Sequence, residues 1–275
     1  MKPQSTEHVR ERAARPHRAG AHGVAGPREA IGEALGRWLA PAVAAVSRMR
    51  NARMFHPEGH TFSGRVVAAG EGAYAELGER LAGRALARFS PALWRNGIES
   101  FDVLGFAIRI RSGDGPVLDH QPSLIDQDLL FATIRSPLTM VFSPFTTDAS
   151  DFAGNTYWAV SPFAVGDLRR VELRLRPIDP KRTRGTRIER LREAVRSGHA
   201  LWQLEARRTL TLAWKPVVHV ILERETAIDQ AALRFNPFRS GAGIEPVGLV
   251  HAIRRAAYAA SQDARPTQSL PRRSR

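Results

Sequence analysis

Apolar positions along the chain follow two periods. Behind Pro27, residues Ile31, Leu35, Trp38, Leu39, Val43 and Val46 recur at steps of three and four, which predicts a helix over 27–49. Residues 73–87 (AYAELGERLAGRALA) repeat in the same way and predict a second helix. Two more are expected at 186–200 and at 247–263, the latter stopped by Pro266. The Gly- and Pro-broken stretch RMFHPEGHTFSGRVVAAG ends as a strand, and further strands are predicted at 103–111, 128–134, 171–177, 206–214 and 216–224. In one of them Val171, Leu173 and Leu175 alternate with Glu172, Arg174 and Arg176, so one sheet face is wet. Without regular βαβ alternation, the pattern predicts an α+β chain built on an antiparallel sheet or barrel. It forms one domain over 27–265, between a basic leader (1–26) and a basic tail (266–275) that are both expected to be disordered.

Composition narrows the chemistry. The 275 residues are 43% hydrophobic and 25% charged, as in ordinary globular chains, and include no Cys. Disulfides, thiolate metal sites and Cys nucleophiles are thereby excluded, and any metal must be held by His, carboxylate, Tyr or a cofactor. The net charge of +14 comes from 41 Lys plus Arg against 27 Asp plus Glu, with 13 basic and 5 acidic residues between Arg169 and Arg208. That segment could track a phosphate backbone, which makes a nucleic-acid-binding protein the alternative from a different functional class. Its only aromatic residue is Trp202 and it carries no recognised binding signature, so nucleic acid ranks low as a partner. No stretch approaches the ~18–20 apolar residues of a membrane span, and no apolar signal centre opens the chain; a cytoplasmic protein is expected.

Among local patterns, His56-Pro57-Glu58-Gly59-His60 has the histidine spacing of a zinc protease, but Pro and Gly break the helical turn that would align the rings, and the Glu stands one place late. No GxGxxG, Walker loop or GxSxG elbow is present. In the predicted C-terminal helix, Arg254, Tyr258, Ser261 and Arg265 stack along one face. This is either a solvated face or a site, and an Arg one turn before a Tyr favours the phenolate, a potential anionic metal ligand.

Arg254-x3-Tyr258-x2-Ser261-x3-Arg265 resembles the proximal haem-binding signature of the haem catalases, preceded, as in that family, by Gly243-Ile244-Glu245-Pro246. Arg53-x2-His56-x2-Gly59-x4-Gly64 resembles the distal histidine motif, Arg88-Phe89-Ser90 the segment that supports it, and Gly105-Phe106-Ala107 the next strand. The resemblance covers roughly residues 48–265. It implies an antiparallel β-barrel core of the catalase type with flanking helices, truncated relative to full-length catalases. It also implies haem b, with Tyr258 as iron ligand, His56 over the iron, Ser90 orienting His56, and Arg53, Arg88 and Arg265 on the propionates, with Arg254 and Ser261 on the proximal side. The sequence departs from the family at Asp128-Leu129-Leu130-Phe131-Ala132-Thr133, where catalases have Asp-Leu-x-Gly-Asn-Asn; Thr133 is the candidate substitute for the distal Asn, with one hydroxyl in place of an amide.

The resemblance therefore implies a minimal catalase-related haem peroxidase with weak or no catalase activity. Such a protein would cleave hydrogen peroxide or organic hydroperoxides and oxidise a small organic electron donor. It would have no membrane span and could pair as a homodimer. Rearrangement of lipid hydroperoxides to allene oxides is the alternative within the enzyme class.

Overall fold

The computed structural model describes residues 59–93, 97–113, 119–136, 139–159, 161–230 and 232–247. Among the described residues there are ten strands: β1 (His60–Ala68), β2 (Gly83–Pro91), β3 (Leu104–Ser112), β4 (Gln127–Ala132), β5 (Tyr157–Ala159), β6 (Phe163–Val165), β7 (Leu168–Pro177), β8 (Leu201–Arg208), β9 (Lys215–Glu225) and β10 (Ile244–Pro246). Three short helices interrupt them: α1 (Ala75–Leu81), α2 (Ser143–Thr146) and α3 (Arg187–Arg196). All pairings between these strands are antiparallel, in the order β7-β5-β4-β3-β2-β1-β9-β8, and β7 pairs with β8 to close an eight-stranded barrel. β6 and β10 extend the sheet beside β7. Among the described residues, no helix is long and apolar enough to cross a membrane.

Alternation explains the barrel's filling. On β2, Ala85, Ala87 and Phe89 point inward, and Phe62, Phe106, Tyr157 and Trp202 join them in the core. Phe89 is the hub: its ring lies 4.3 Å from Phe106, 5.4 Å from Phe152 and 5.6 Å from Trp202, centroid to centroid. The hydroxyl of Tyr157 donates to the Phe152 carbonyl at 2.7 Å, which satisfies the one polar atom this ring takes into the interior.

On the outer face of β3 and β4, buried charges take over. Arg109 binds Asp128 through Nε at 2.9 Å and a second nitrogen at 3.2 Å, and Arg111 binds Asp126 at 2.7 and 3.0 Å. Asp128 also accepts the backbone N–H of Asn236 at 2.8 Å and a bond from Arg239, while Arg109 donates to the Arg234 carbonyl. These contacts lash residues 232–244 across the barrel as a strap that leads into β10. Burial by itself would raise the pKa of Asp126, but hydrogen bonds from Arg111 and from the Ser123 N–H hold the carboxyl below its ordinary range.

The barrel agrees with the expected antiparallel core, but several boundaries differ. The helix expected over 73–87 ends at Leu81. Gly83 comes next but one at φ +151°, and a Cβ there would lie 2.1 Å from the Arg111 carbonyl oxygen, so the chain turns into β2. β2 lacks a wet face because Leu86 is covered by Leu233, Ile228 and Phe235, which hides its strand period. The strand expected at 206–214 is shifted to Leu201–Arg208, and Leu210 and Leu212 stand in the loop beyond it. The helix expected at 186–200 runs from Arg187 to Arg196, opened by a Thr186–Glu189 capping box and succeeded by Gly198 at φ +75°. β5, β6 and β10, three residues each, have no counterpart in the sequence pattern. The predicted helix at 27–49 and, beyond Val247, the one at 247–263 lie outside the described residues.

Asp128→Ala should cost about 3–5 kcal/mol in urea unfolding, because it leaves Arg109 and Arg239 facing a buried site with their shared carboxylate removed.

Candidate functional site

With the interior occupied by side chains, the outward positions of β2, β3 and β4 are where a ligand could lie. The register sets them in rows across the strands. One row reads Thr61, Arg88, Ala107, Leu130; the next reads Ser90, Gly105, Ala132. Arg88 and Ser90, two positions apart, therefore share the outer face. Beside them lies a platform of Gly105, Ala107 and Ala132, residues with no side chain beyond Cβ, all half-buried. The strap's approach borders it through Gln230, which accepts from Arg88 Nε at 2.9 Å and donates to Thr61 Oγ1 at 2.6 Å.

Arg88 is 9% exposed, and burial lowers the pKa of its guanidinium. A Cβ on Gly59 would lie 2.2 Å from that guanidinium, so the backbone before β1 packs directly on Arg88. Gly64, the other glycine of the distal pattern, has a similar constraint: a Cβ there would lie 2.0 Å from the Ile221 carbonyl oxygen, where a register shift brings β9 close. Gly59 and Arg88, which belong to two separate sequence patterns, thus meet in space.

Ser90 lies on this face beside Gly105, whose Cβ would stand 3.2 Å from its Oγ. Thr133 does not join them. It is one position beyond Ala132 and out of phase with the outward row. Its Oγ1 accepts the Leu104 N–H at 3.0 Å and lies 2.8 Å from Thr147 Oγ1, so the hydroxyl pins the end of β4 to β3 and to the turn after α2. The residue in register with Ser90 is Ala132, and the alternation of β4 is the signal that identifies it. Gln230 carries no such signal, because only the path of the chain into the strap brings it to Arg88.

His60, which begins β1, has its pKa lowered mainly by burial, with Arg192 adding to the effect and Glu225 opposing it. Among the described residues no cluster of His, Asp and Glu could hold a metal ion. Of the three tyrosines, Tyr157 is fully buried and its pKa is pushed well above 10, chiefly by desolvation, while burial also raises that of Tyr74. Neither environment favours a phenolate. Arg53, His56, Arg254, Tyr258, Ser261 and Arg265 lie outside the described residues.

The basic 169–208 segment is largely neutralised within the protein. Arg174 and Arg176 share Glu205, Arg207 pairs with Glu172, Arg192 with Glu225, Arg182 with Asp148, and Arg187 with the buried Asp102. Trp214 lies under the guanidinium groups of both Arg174 and Arg207.

No family model matches the chain, and no curated protein matches it.

The contact between Gly59 and Arg88 can be measured directly. Gly59→Ala should destabilise the protein by about 1–3 kcal/mol, and most of that cost should vanish in an Arg88→Ala background. Urea unfolding of the two single variants and the double variant gives the coupling.

Proposed function

We propose that the protein is a haem-dependent peroxidase whose haem b lies against the outer face of β2–β4. The observation that supports this reading is the contact of Gly59, a glycine of the distal-type pattern, with Arg88 of the Arg-Phe-Ser pattern, on the face that also carries Ser90. The face suits a flat group, since Gly105, Ala107 and Ala132 keep it low and Arg88 offers a buried cation to a carboxylate. The resemblance assigns the iron ligand to Tyr258, and Arg254, four positions earlier in the sequence, would favour its phenolate. When bound, the haem supplies the iron at which a peroxide O–O bond is cleaved.

The chain's own residues then manage protons and position. His56 takes the proton from one peroxide oxygen and returns it to the leaving oxygen, as general base and then general acid. Ser90 fixes the orientation of the imidazole. Arg53, Arg88 and Arg265 are the residues that would hold the haem propionates. Ala132 offers no hydrogen bond to a small peroxide, and Leu130 adds apolar surface on the same side. Exposed rings of Phe101 and Phe145, in edge-to-face contact at 4.5 Å, and of Phe142 add more apolar surface in the segments before β3 and after β4. These features favour an organic hydroperoxide over hydrogen peroxide, with a small organic molecule as electron donor.

Absorbance after expression with added haem tests the reading: a Soret band is expected, lost or shifted in Tyr258→Phe and retained in His56→Ala, which should no longer cleave peroxide. A colourless protein would overturn it. Ala132→Asn, which restores an amide in register with Ser90, should raise hydrogen peroxide turnover by about tenfold or more, whereas Thr133→Asn should not.

A further inference from the structure

We propose that the hairpin joining β8 to β9 is an insertion loop for anionic lipid bilayers. Its tip, Thr209-Leu210-Thr211-Leu212-Ala213, presents two leucines that are 99% and 92% exposed. Leu210 sits at φ +73°, where a Cβ is strained and glycine would not be, so the exposed side chain is kept at a conformational cost. Apolar side chains that protrude this far gain nothing from the fold and gain most from leaving water at a bilayer.

Cations surround the tip. Arg208 ends β8 and Lys215 begins β9; the Thr209 N–H donates to the Arg170 carbonyl at 3.0 Å, which places Arg169 and Arg170 of β7 alongside. All four side chains are exposed, and among the described residues none makes an ion pair, in contrast to their paired neighbours Arg174, Arg176 and Arg207. The combination of protruding leucines and a cationic collar fits anionic phospholipid headgroups over a hydrocarbon layer.

A second loop supports the same surface. β3 and β8 run in the same direction around the barrel, so the β3–β4 and β8–β9 loops emerge at one end. Leu124, 97% exposed, belongs to the first of these. Acidic Glu76 and Glu79 of α1, which packs on β1, β3 and β9, and Asp167 in the β6–β7 turn restrict the contact to the loops. Ser90 stands at the opposite strand end, so docking would leave the platform uncovered.

The absence of native Cys allows one label at Thr211→Cys in the full chain. An environment-sensitive fluorophore there should shift to the blue with vesicles of phosphatidylcholine and phosphatidylserine, but not with phosphatidylcholine alone. In co-sedimentation, Leu210→Ser with Leu212→Ser should weaken binding to the anionic vesicles by about tenfold or more. Arg169→Gln, Arg170→Gln and Arg208→Gln together should do the same. Leu210→Gly should weaken binding while leaving the melting temperature unchanged or higher, which separates docking from folding. Sedimentation without a change at the label would assign binding to the basic termini and overturn the proposal. So would a blue shift that arises without lipid and grows with protein concentration, which would make a second copy of the chain the occupant.

Discussion

The packing of Phe89 at the centre of the barrel decides where everything else can be. Its ring lies against those of Phe62, Phe106, Phe152, Tyr157 and Trp202, and these six side chains belong to the buried apolar cluster of the barrel. Because neighbours on a strand point to opposite faces, fixing Phe89 inward also fixes Arg88 and Ser90 outward. A slip of one residue would exchange the two sets, placing a guanidinium among five aromatic rings, so the apolar core holds the register of the polar face.

The outer face needs its own support. The strap of residues 232–244 crosses β2–β4 over Leu86, Arg109 and Asp128, and the buried pairs at Arg109 and Arg111 hold it there. Such buried ion pairs contribute little net stability against an apolar alternative, but removing one partner is costly. Their evident consequence is positional: they set where Gln230 meets Arg88 and Thr61, and carry the chain into β10. Asp128 is thus a residue of architecture, although it lies in the stretch where the catalase resemblance locates a distal amide.

Much of the barrel is legible in the sequence because β1, β3, β7 and β9 alternate cleanly or carry β-branched runs. β2 is not, because the strap buries its outer leucine, and Leu81, Ala85 and their neighbours then repeat as a helix would. The shift of β8 has the opposite cause: Leu210 and Leu212 continue an alternation that no partner strand meets. At the site, Arg88 and Ser90 stand out through their resemblance to a motif, and the register explains why they belong together. Thr133 has the hydroxyl that a substitute for the distal amide needs, yet strand phase turns it to a structural task and leaves Ala132 on the face with Ser90. Composition cannot separate those two positions; strand pairing does.

The small-residue platform of Gly105, Ala107 and Ala132 on the outer face is the proposed seat of the haem, and a bulky side chain placed in it should block binding. Haem titration followed at the Soret band, comparing Ala107→Trp with Val67→Trp, tests this most directly, since one substitution fills the platform and the other stands on exposed β1 surface. Ala107→Trp should weaken haem binding by about tenfold or more, while Val67→Trp should leave it unchanged. Equal haem affinity in Ala107→Trp and the unsubstituted chain would contradict a haem seated on this face.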